Sequence, residues 1–287
     1  MHVWNWDARI APHAQHVITV TDIIPILYAD LFPPEFVRAT KAGLNFAQQH
    51  ANKIIAISQF TKQELVAKAN LPAEKIAVIY PGVRAFFQPS QNSAVLGTVR
   101  QRYGIGDHPY LLSVGYLDPR KNVRGHVRAF EQVASNQIGR DLMLLLVGPE
   151  SAASSQVLAQ IQSAQVRDRI RVTGYVPDDD IVALMNGASA FLYCSLYEGF
   201  GIPVLEAMAC GTPVVTSNTT SLGEIAGDAA ECVDPENFDA IAAAIERVLT
   251  DSERRQVLCA RGFNRVKEFT WARCTQEHLQ VYRRCAQ

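Results

Sequence analysis

The sequence predicts an α/β protein built on doubly wound parallel sheets. Three observations lead there. Short apolar, β-branched runs alternate with stretches of helical periodicity along nearly the whole chain. Residues 142–147, LMLLLV, form an unbroken apolar run, as expected of a central parallel strand covered on both faces. Residues 190–216, AFLYCSLYEGFGIPVLEAMACGTPVVT, read as strand, glycine loop, helix and strand in succession.

Composition is compatible with that class. Hydrophobic residues make up 48 % and charged residues 19 %, as in an ordinary globular protein. The 287 residues suffice for one large or two moderate domains. A formal net charge of −1 leaves no footprint for nucleic acid. No apolar run approaches the roughly 20 residues that a membrane span needs. Residues 1–16 lack the basic-then-apolar pattern of a secretory signal. Their histidines, His2, His13 and His16, are irregularly spaced and have no carboxylate pattern around them, so they do not read as a metal site. Cys194, Cys210, Cys232, Cys259, Cys274 and Cys285 are scattered, and buried or free thiols in a reducing compartment are the expected state.

Taken in order, residues 17–20 predict a strand that ends at Thr21 and Asp22. Pro33 and Pro34 precede a helical stretch reaching about residue 49, and 54–57 predict a second strand. Ser58 is the expected cap of a helix over 62–69. Residues 76–79 predict a third strand, with a turn at Pro81 and Gly82. An interdomain connection with a short helix at 95–103 follows. A second α/β series then begins: strand 110–114, loop 115–122, helix 123–135, strand 142–147, helix 157–164, strand 169–173 and helix 178–187. After the glycine-loop unit, Ser221 and Glu224 have capping-box spacing. A brief strand at 232–233, helices at 237–249 and 252–267, and a terminal helix over 269–284 complete the chain.

The candidate chemistry sits in two loops. Glu198 precedes a glycine loop and Glu206 lies in the helix after it. Glycine lets a backbone N–H come close to a ligand, and a helix starting at Ile202 or Pro203 turns its positive end toward phosphate. The two carboxylates read either as solvent-facing residues or as acceptors for sugar hydroxyls. Loop 115–122, GYLDPRKN, offers Arg120 and Lys121. They read either as a solvated pair or, standing between a strand and a helix, as countercharge for a diphosphate.

The segment SLYEGFGIPVLEAMACGTPVVTSN, with its E-x7-E spacing from Glu198 to Glu206, resembles the retaining GT-B glycosyltransferases of family 4, also called glycosyltransferase group 1. IAISQFTKQEL and YPGV are similar to the same family. The resemblance covers about residues 17–284. It implies a GT-B fold with a complete C-terminal domain, and it implies transfer of a hexose from a nucleotide diphosphate sugar with retention. GDP-mannose is the first choice of donor, and the acceptor is a saccharide or lipid-linked saccharide. It further implies that Gly115 and Lys121 hold the diphosphate and that Gly174 and Tyr175 stand beside the base, although Tyr175 also reads as core filler. Glu206 would bind the ribose and Glu198 the donor sugar, with the backbone of Phe200, Gly201 and Ile202 on sugar and phosphate oxygens. Tyr116 stands where relatives often carry an Arg, so either Arg120 substitutes or the contact is absent. Thr21-Asp22 replaces the usual His-Asp, leaving Asp22 for the acceptor side. No metal is required, because Lys121 and the helix end supply the countercharge.

The expected division is a partial N-terminal domain at 1–88, a linker at 89–106, a nucleotide-sugar-binding domain at 107–268 and a returning helix at 269–287. The first domain reads as shortened. Exposed strand edges would then favour self-association, and nucleotide binding without efficient transfer is the alternative function. A GT-B epimerase is a further alternative. A cytoplasmic setting with at most peripheral contact at the inner membrane face is expected.

Overall fold

The structure, a computed structural model, describes residues 14–90, 92–151 and 153–286, and the backbone of 2–4. Trp6 and His13, and the side chains of His2 and Trp4, lie outside the described residues. The chain forms two compact units.

The first unit comprises Met1–Gly82, Glu198–Gly201 and Phe269–Gln287. Its sheet has strands β1 (His2–Trp4), β2 (Val17–Val20), β3 (Lys53–Ala56) and β4 (Ile76–Val78), parallel and adjacent in that order. β1 is a fourth strand beyond the three expected. Helices α1 (Ile24–Leu27) and α2 (Pro34–His50) lie between β2 and β3, and α3 (Gln59–Ala69) between β3 and β4. Side chains alternate between the sheet's faces. Ile18, Val20, Ile54 and Ala56 pack with Leu44 and Leu65, while Val17 and Ile55 join Ile79 in a separate cluster. Ser58 caps α3 as expected, its Oγ accepting from the Thr61 N–H at 2.9 Å.

The second unit comprises Val83–Tyr197 and Ile202–Glu268. In chain order it holds α4 (Ser93–Arg102), β5 (Tyr110–Val114), α5 (Val123–Ser135), β6 (Met143–Val147), α6 (Ser154–Ser163), β7 (Ile170–Val172), α7 (Asp178–Gly187), β8 (Ala190–Tyr193), α8 (Ile202–Ala209), β9 (Val214–Ser217), α9 (Thr220–Ala226), β10 (Glu231–Val233), α10 (Phe238–Thr250) and α11 (Ser252–Val266). The strands form one parallel sheet in the order β10-β9-β8-β5-β6-β7. β6 is buried throughout, in keeping with its apolar run. α4, expected within the linker, belongs to this unit: Arg102 and the Tyr103 hydroxyl that follows it both donate to Asp180 of α7, at 2.6 and 2.7 Å.

One local expectation fails. α9 starts at Thr220 rather than after Ser221, and its cap residue Thr219 makes no side-chain capping bond. Thr220 takes φ +58°, and the helix begins two residues earlier than a Ser221 cap would place it, leaving Ser221 inside the first turn.

The final helix, α12 (Trp271–Cys285), returns to the first unit. Its Cys274 and Val281 complete the cluster around Val17, Ile55 and Ile79. Among the described residues, no helix is long and apolar enough to cross a membrane. The six cysteines are free thiols.

Candidate active site

The second sheet reverses its strand order between β5 and β8. Helices leave such a gap on opposite faces, and loops after the two strands diverge around a crevice. Loop 115–122 follows β5, and the segment leading to Tyr197 follows β8.

Loop 115–122 is held by its own sequence. Asp118 caps a short 3-10 turn, Pro119–Lys121, by accepting from the Lys121 N–H at 3.1 Å. Asn122 takes φ +56°, a conformation asparagine tolerates better than most residues. Its amide satisfies three bonds: Nδ2 donates to the carbonyls of Cys194 (2.9 Å) and Pro235 (2.7 Å), and Oδ1 accepts from Gly125 N–H at 3.1 Å. One buried side chain thus ties the end of β5 to the ends of β8 and β10. Gly115, at φ +153°, leaves room for the Lys121 side chain, whose Cε would stand 3.2 Å from a Cβ there.

Lys121 reaches across to β8, its Nζ donating to the Tyr193 hydroxyl at 2.6 Å. A small hollow of about 10 Å³, room for one water, lies among Ser113, Gly115, Lys121, Tyr193 and Ser195. Ser195 Oγ is buried there without a hydrogen-bond partner. Arg120 is neither solvated nor turned to this hollow. It is 8 % exposed, and its Nη1 donates to the Tyr197 carbonyl at 2.7 Å, bracing the segment after β8.

His126 of α5 lies beneath. Its Nε2 accepts from the Cys194 N–H at 3.1 Å, so the proton sits on Nδ1 and is donated to Ser113 Oγ at 3.3 Å. Full burial, with Lys121's charge adding to it, pushes the imidazole pKa down to about 3.

Glu206 is 5 % exposed on α8. Burial raises its pKa, against the pull of the hydrogen bonds and charge of Arg84, while Asp178 adds to the rise. Gly174, at φ +70°, follows β7, its carbonyl accepting from Gly148 N–H at 3.0 Å. Gly148 in turn approaches Gly115 so closely that a Cβ would stand 2.0 Å from the Gly115 oxygen. Tyr175 is 77 % exposed, so it is not core filler.

The loop Glu198–Gly201 belongs to the first unit. Ser58 Oγ (2.7 Å) and Thr61 Oγ1 (3.0 Å) both donate to the Gly199 carbonyl. A Cβ on Gly199 would stand 2.5 Å from the Thr21 oxygen and 2.8 Å from Asp22 Cβ, so only glycine fits. Asp22 lies two residues before α1, its Oδ1 accepting from Ile24 N–H at 2.9 Å. Glu198 is 8 % exposed, and the Phe200 ring packs with Tyr80 and Phe269. Within the first unit the structure therefore brings together Asp22, Ser58 and the glycine loop. Within the second it brings together Gly115, Lys121 and Gly174, with Glu206 on the helix α8. Among the described residues, no cluster of His, Cys, Asp and Glu could hold a metal ion.

Four residues that reading the sequence did not single out shape the site: Arg84, Asn122, His126 and Tyr193. Asn122 had a signal, as an asparagine closing a glycine-and-proline loop before a helix. The others had none, because each acts through a partner distant in sequence.

Comparison with known proteins bears on the fold and the family. The family profile described as glycosyl transferases group 1 matches residues 95–265, and that of glycosyltransferase family 4 matches residues 26–85. O-antigen chain mannosyltransferase B of Escherichia coli is 35 % identical over 285 residues, covering 98 % of this chain and 74 % of that protein. A serotype-specific mannosyltransferase, WbdA, of Escherichia coli is 29 % identical over 264 residues, covering 91 % of this chain but 32 % of its own length. Among solved structures, sucrose-phosphate synthase from Thermosynechococcus elongatus superposes with a TM-score of 0.79 at 24 % identity, covering 99 % of this chain and 72 % of that one. With its two parallel, doubly wound sheets of GT-B type, the chain belongs to the glycosyl transferases group 1 family, the family 4 glycosyltransferases that draw on nucleotide-sugar donors.

Proposed function

We propose that the chain transfers mannose from GDP-mannose to a hydroxyl of a saccharide or lipid-linked saccharide, with retention at the anomeric carbon. The observation that carries this reading is the Lys121 ammonium at the β5/β8 gap, on a loop fixed by Asn122 and Asp118. The similarity to an O-antigen mannosyltransferase supports mannose as the sugar.

In this reading Lys121 neutralises the charge that gathers on the diphosphate as the bond from anomeric carbon to phosphate oxygen breaks. The N-terminus of α8 and the N–H groups of Gly201 and Ile202 add to that stabilisation. Glu206 accepts from the ribose hydroxyls, and Glu198 attends the donor sugar. Gly174 and Tyr175 flank the base. Asp22 is the candidate for holding the acceptor. The acceptor oxygen bonds to the anomeric carbon on the face that the phosphate leaves, and its proton passes to the departing phosphate. No covalent sugar–enzyme bond is needed. Lys121 and the helix end supply the countercharge that a metal would otherwise provide. The work is done at the cytoplasmic face of the membrane, by peripheral contact.

The test is transfer from GDP-mannose to a mannosyl acceptor, with the product's anomeric configuration read by proton NMR. An α product from the α-linked donor is expected, and an inverted product overturns the mechanism. Turnover with UDP-glucose but not with GDP-mannose overturns the donor. Glu206→Gln should weaken GDP binding while leaving 2′,3′-dideoxy-GDP little changed, and equal losses would remove the ribose role.

A further inference from the structure

Arg84 opens a β-turn just after the first unit ends, with the Phe87 N–H donating to the Arg84 carbonyl at 3.1 Å. The turn folds the following two rings under the residue's own guanidinium. Its central carbon lies 4.7 Å from the centre of Phe86 and 4.9 Å from that of Phe87, and the rings stack at 4.7 Å. A guanidinium so placed loses less freedom when it binds a carboxylate. Nε and Nη2 both donate to Glu206 Oε1, at 3.2 and 2.9 Å. Nη1 is anchored on Asp178 Oδ2 at 2.7 Å, at the first residue of α7.

Both bonds to Glu206 converge on one oxygen. The carboxylate is nearly buried, so its remaining acceptor, Oε2, is valuable to any ligand that brings hydroxyl donors. A buried carboxylate without Arg84 would be free to rotate and would favour its protonated form. Neither condition suits a pair of vicinal hydroxyls.

We infer that Arg84 is a positioning residue for Glu206: by holding Oε1 through Nε and Nη2 it turns Oε2 toward the ligand and sets the site's preference for a nucleotide with free 2′ and 3′ hydroxyls. This rests on the reading of Glu206 as the ribose acceptor. It assigns the selectivity of that contact to a residue in the chain's connecting turn, which does not itself touch the ribose. Lysine cannot replace it, because a point charge lacks the fork that fixes the carboxylate plane. The charged groups facing Glu206 are Arg84 and Asp178, and the Cys210 thiol, raised to about 12 by burial with the carboxylate adding to it, stands at the end of α8.

The experiment measures the affinity of GDP and of 2′,3′-dideoxy-GDP by calorimetry, between pH 5 and 8, for the parent, Glu206→Gln, Arg84→Met and Arg84→Lys. The uridine pair is run alongside. The parent should prefer the ribonucleotide by at least about tenfold, the scale of one hydrogen bond to a charged group. Arg84→Met should lose most of that preference with dideoxy affinity unchanged, and what remains should fall further as pH drops and Glu206 takes up its proton. Arg84→Lys should hold the preference across pH better than Arg84→Met yet fail to restore its full size. If Glu206→Gln abolishes the preference and Arg84→Met does not, the inference is overturned while the ribose reading stands. If Glu206→Gln leaves the preference intact, the ribose reading itself is wrong. If Arg84→Met loses both ligands alike, Arg84 supports the fold and the inference is again overturned.

Discussion

His126 gives the sharpest measurable consequence of the structure. Its imidazole is fully buried, is bonded on both nitrogens in the neutral form, and has a folded pKa near 3 against about 6.5 for an unperturbed histidine. The folded state therefore resists protonation that the unfolded chain accepts. Between about pH 6.5 and 3 the unfolded state binds more protons, so stability rises with pH. The contribution is fully present above about pH 6.5 and is lost as the pH falls. At 1.36 kcal/mol per tenfold, the whole gap corresponds to at most about 5 kcal/mol, and the part lost by pH 5 is about 2 kcal/mol. His126→Gln offers a neutral acceptor to the Cys194 N–H and removes the titration. Urea unfolding of both proteins at pH 5 and pH 7.5 isolates the effect, because all other titrations cancel in the difference. The parent should lose about 2 kcal/mol more than the variant between the two pH values. Identical pH dependence would refute a neutral, buried His126.

Three further outcomes are expected. Lys121→Ala should weaken GDP binding by roughly 1.5–3 kcal/mol, with little change in guanosine affinity; calorimetry that finds the two losses equal would remove the phosphate role. Gly148→Ala forces a Cβ onto the Gly115 carbonyl at a positive φ, and should lower unfolding stability by roughly 2–5 kcal/mol in a denaturant titration. Ser58→Ala removes both the cap of α3 and a donor to the Gly199 carbonyl, and should cost about 1–3 kcal/mol, while Thr61→Val, which spares the cap acceptor, should cost less.

The fold was legible wherever a segment carried its own signal. β6 announces itself by a run that only a doubly covered strand tolerates, and α3 by a serine in capping position. β1 escaped because three residues carry no period to read. The capping box at Ser221 misled because spacing alone does not fix where the helix begins; the backbone at Thr220 does. In the site, short motifs singled out Lys121 and Glu206; the structure sets Lys121 against Tyr193 at the β5/β8 gap and buries Glu206 on α8, while their roles toward a ligand are part of the proposal. Arg120 was read from its charge as solvated or phosphate-bound; the structure buries it and turns its Nη1 to the Tyr197 carbonyl, so the solvated reading fails. Arg84 and His126 were not legible. Glu206 lies 122 positions from Arg84, and Cys194 lies 68 from His126, distances at which only tertiary structure reveals a partner.

The first unit is not continuous along the chain, and that shapes how it must be made. Its strands are synthesised early, but the cluster of Val17, Ile55 and Ile79 is closed by Cys274 and Val281 of the last helix. Nearly the whole second unit leaves the ribosome in between. During that interval one apolar face of the nascent first sheet lacks its cover, while the second unit has every strand of its own sheet in hand by Val233. The expected order of maturation is thus the reverse of the order of synthesis. The second unit is complete first, and the early sheet waits for the final turns of the chain, a period in which a holdase chaperone has an exposed apolar face to bind.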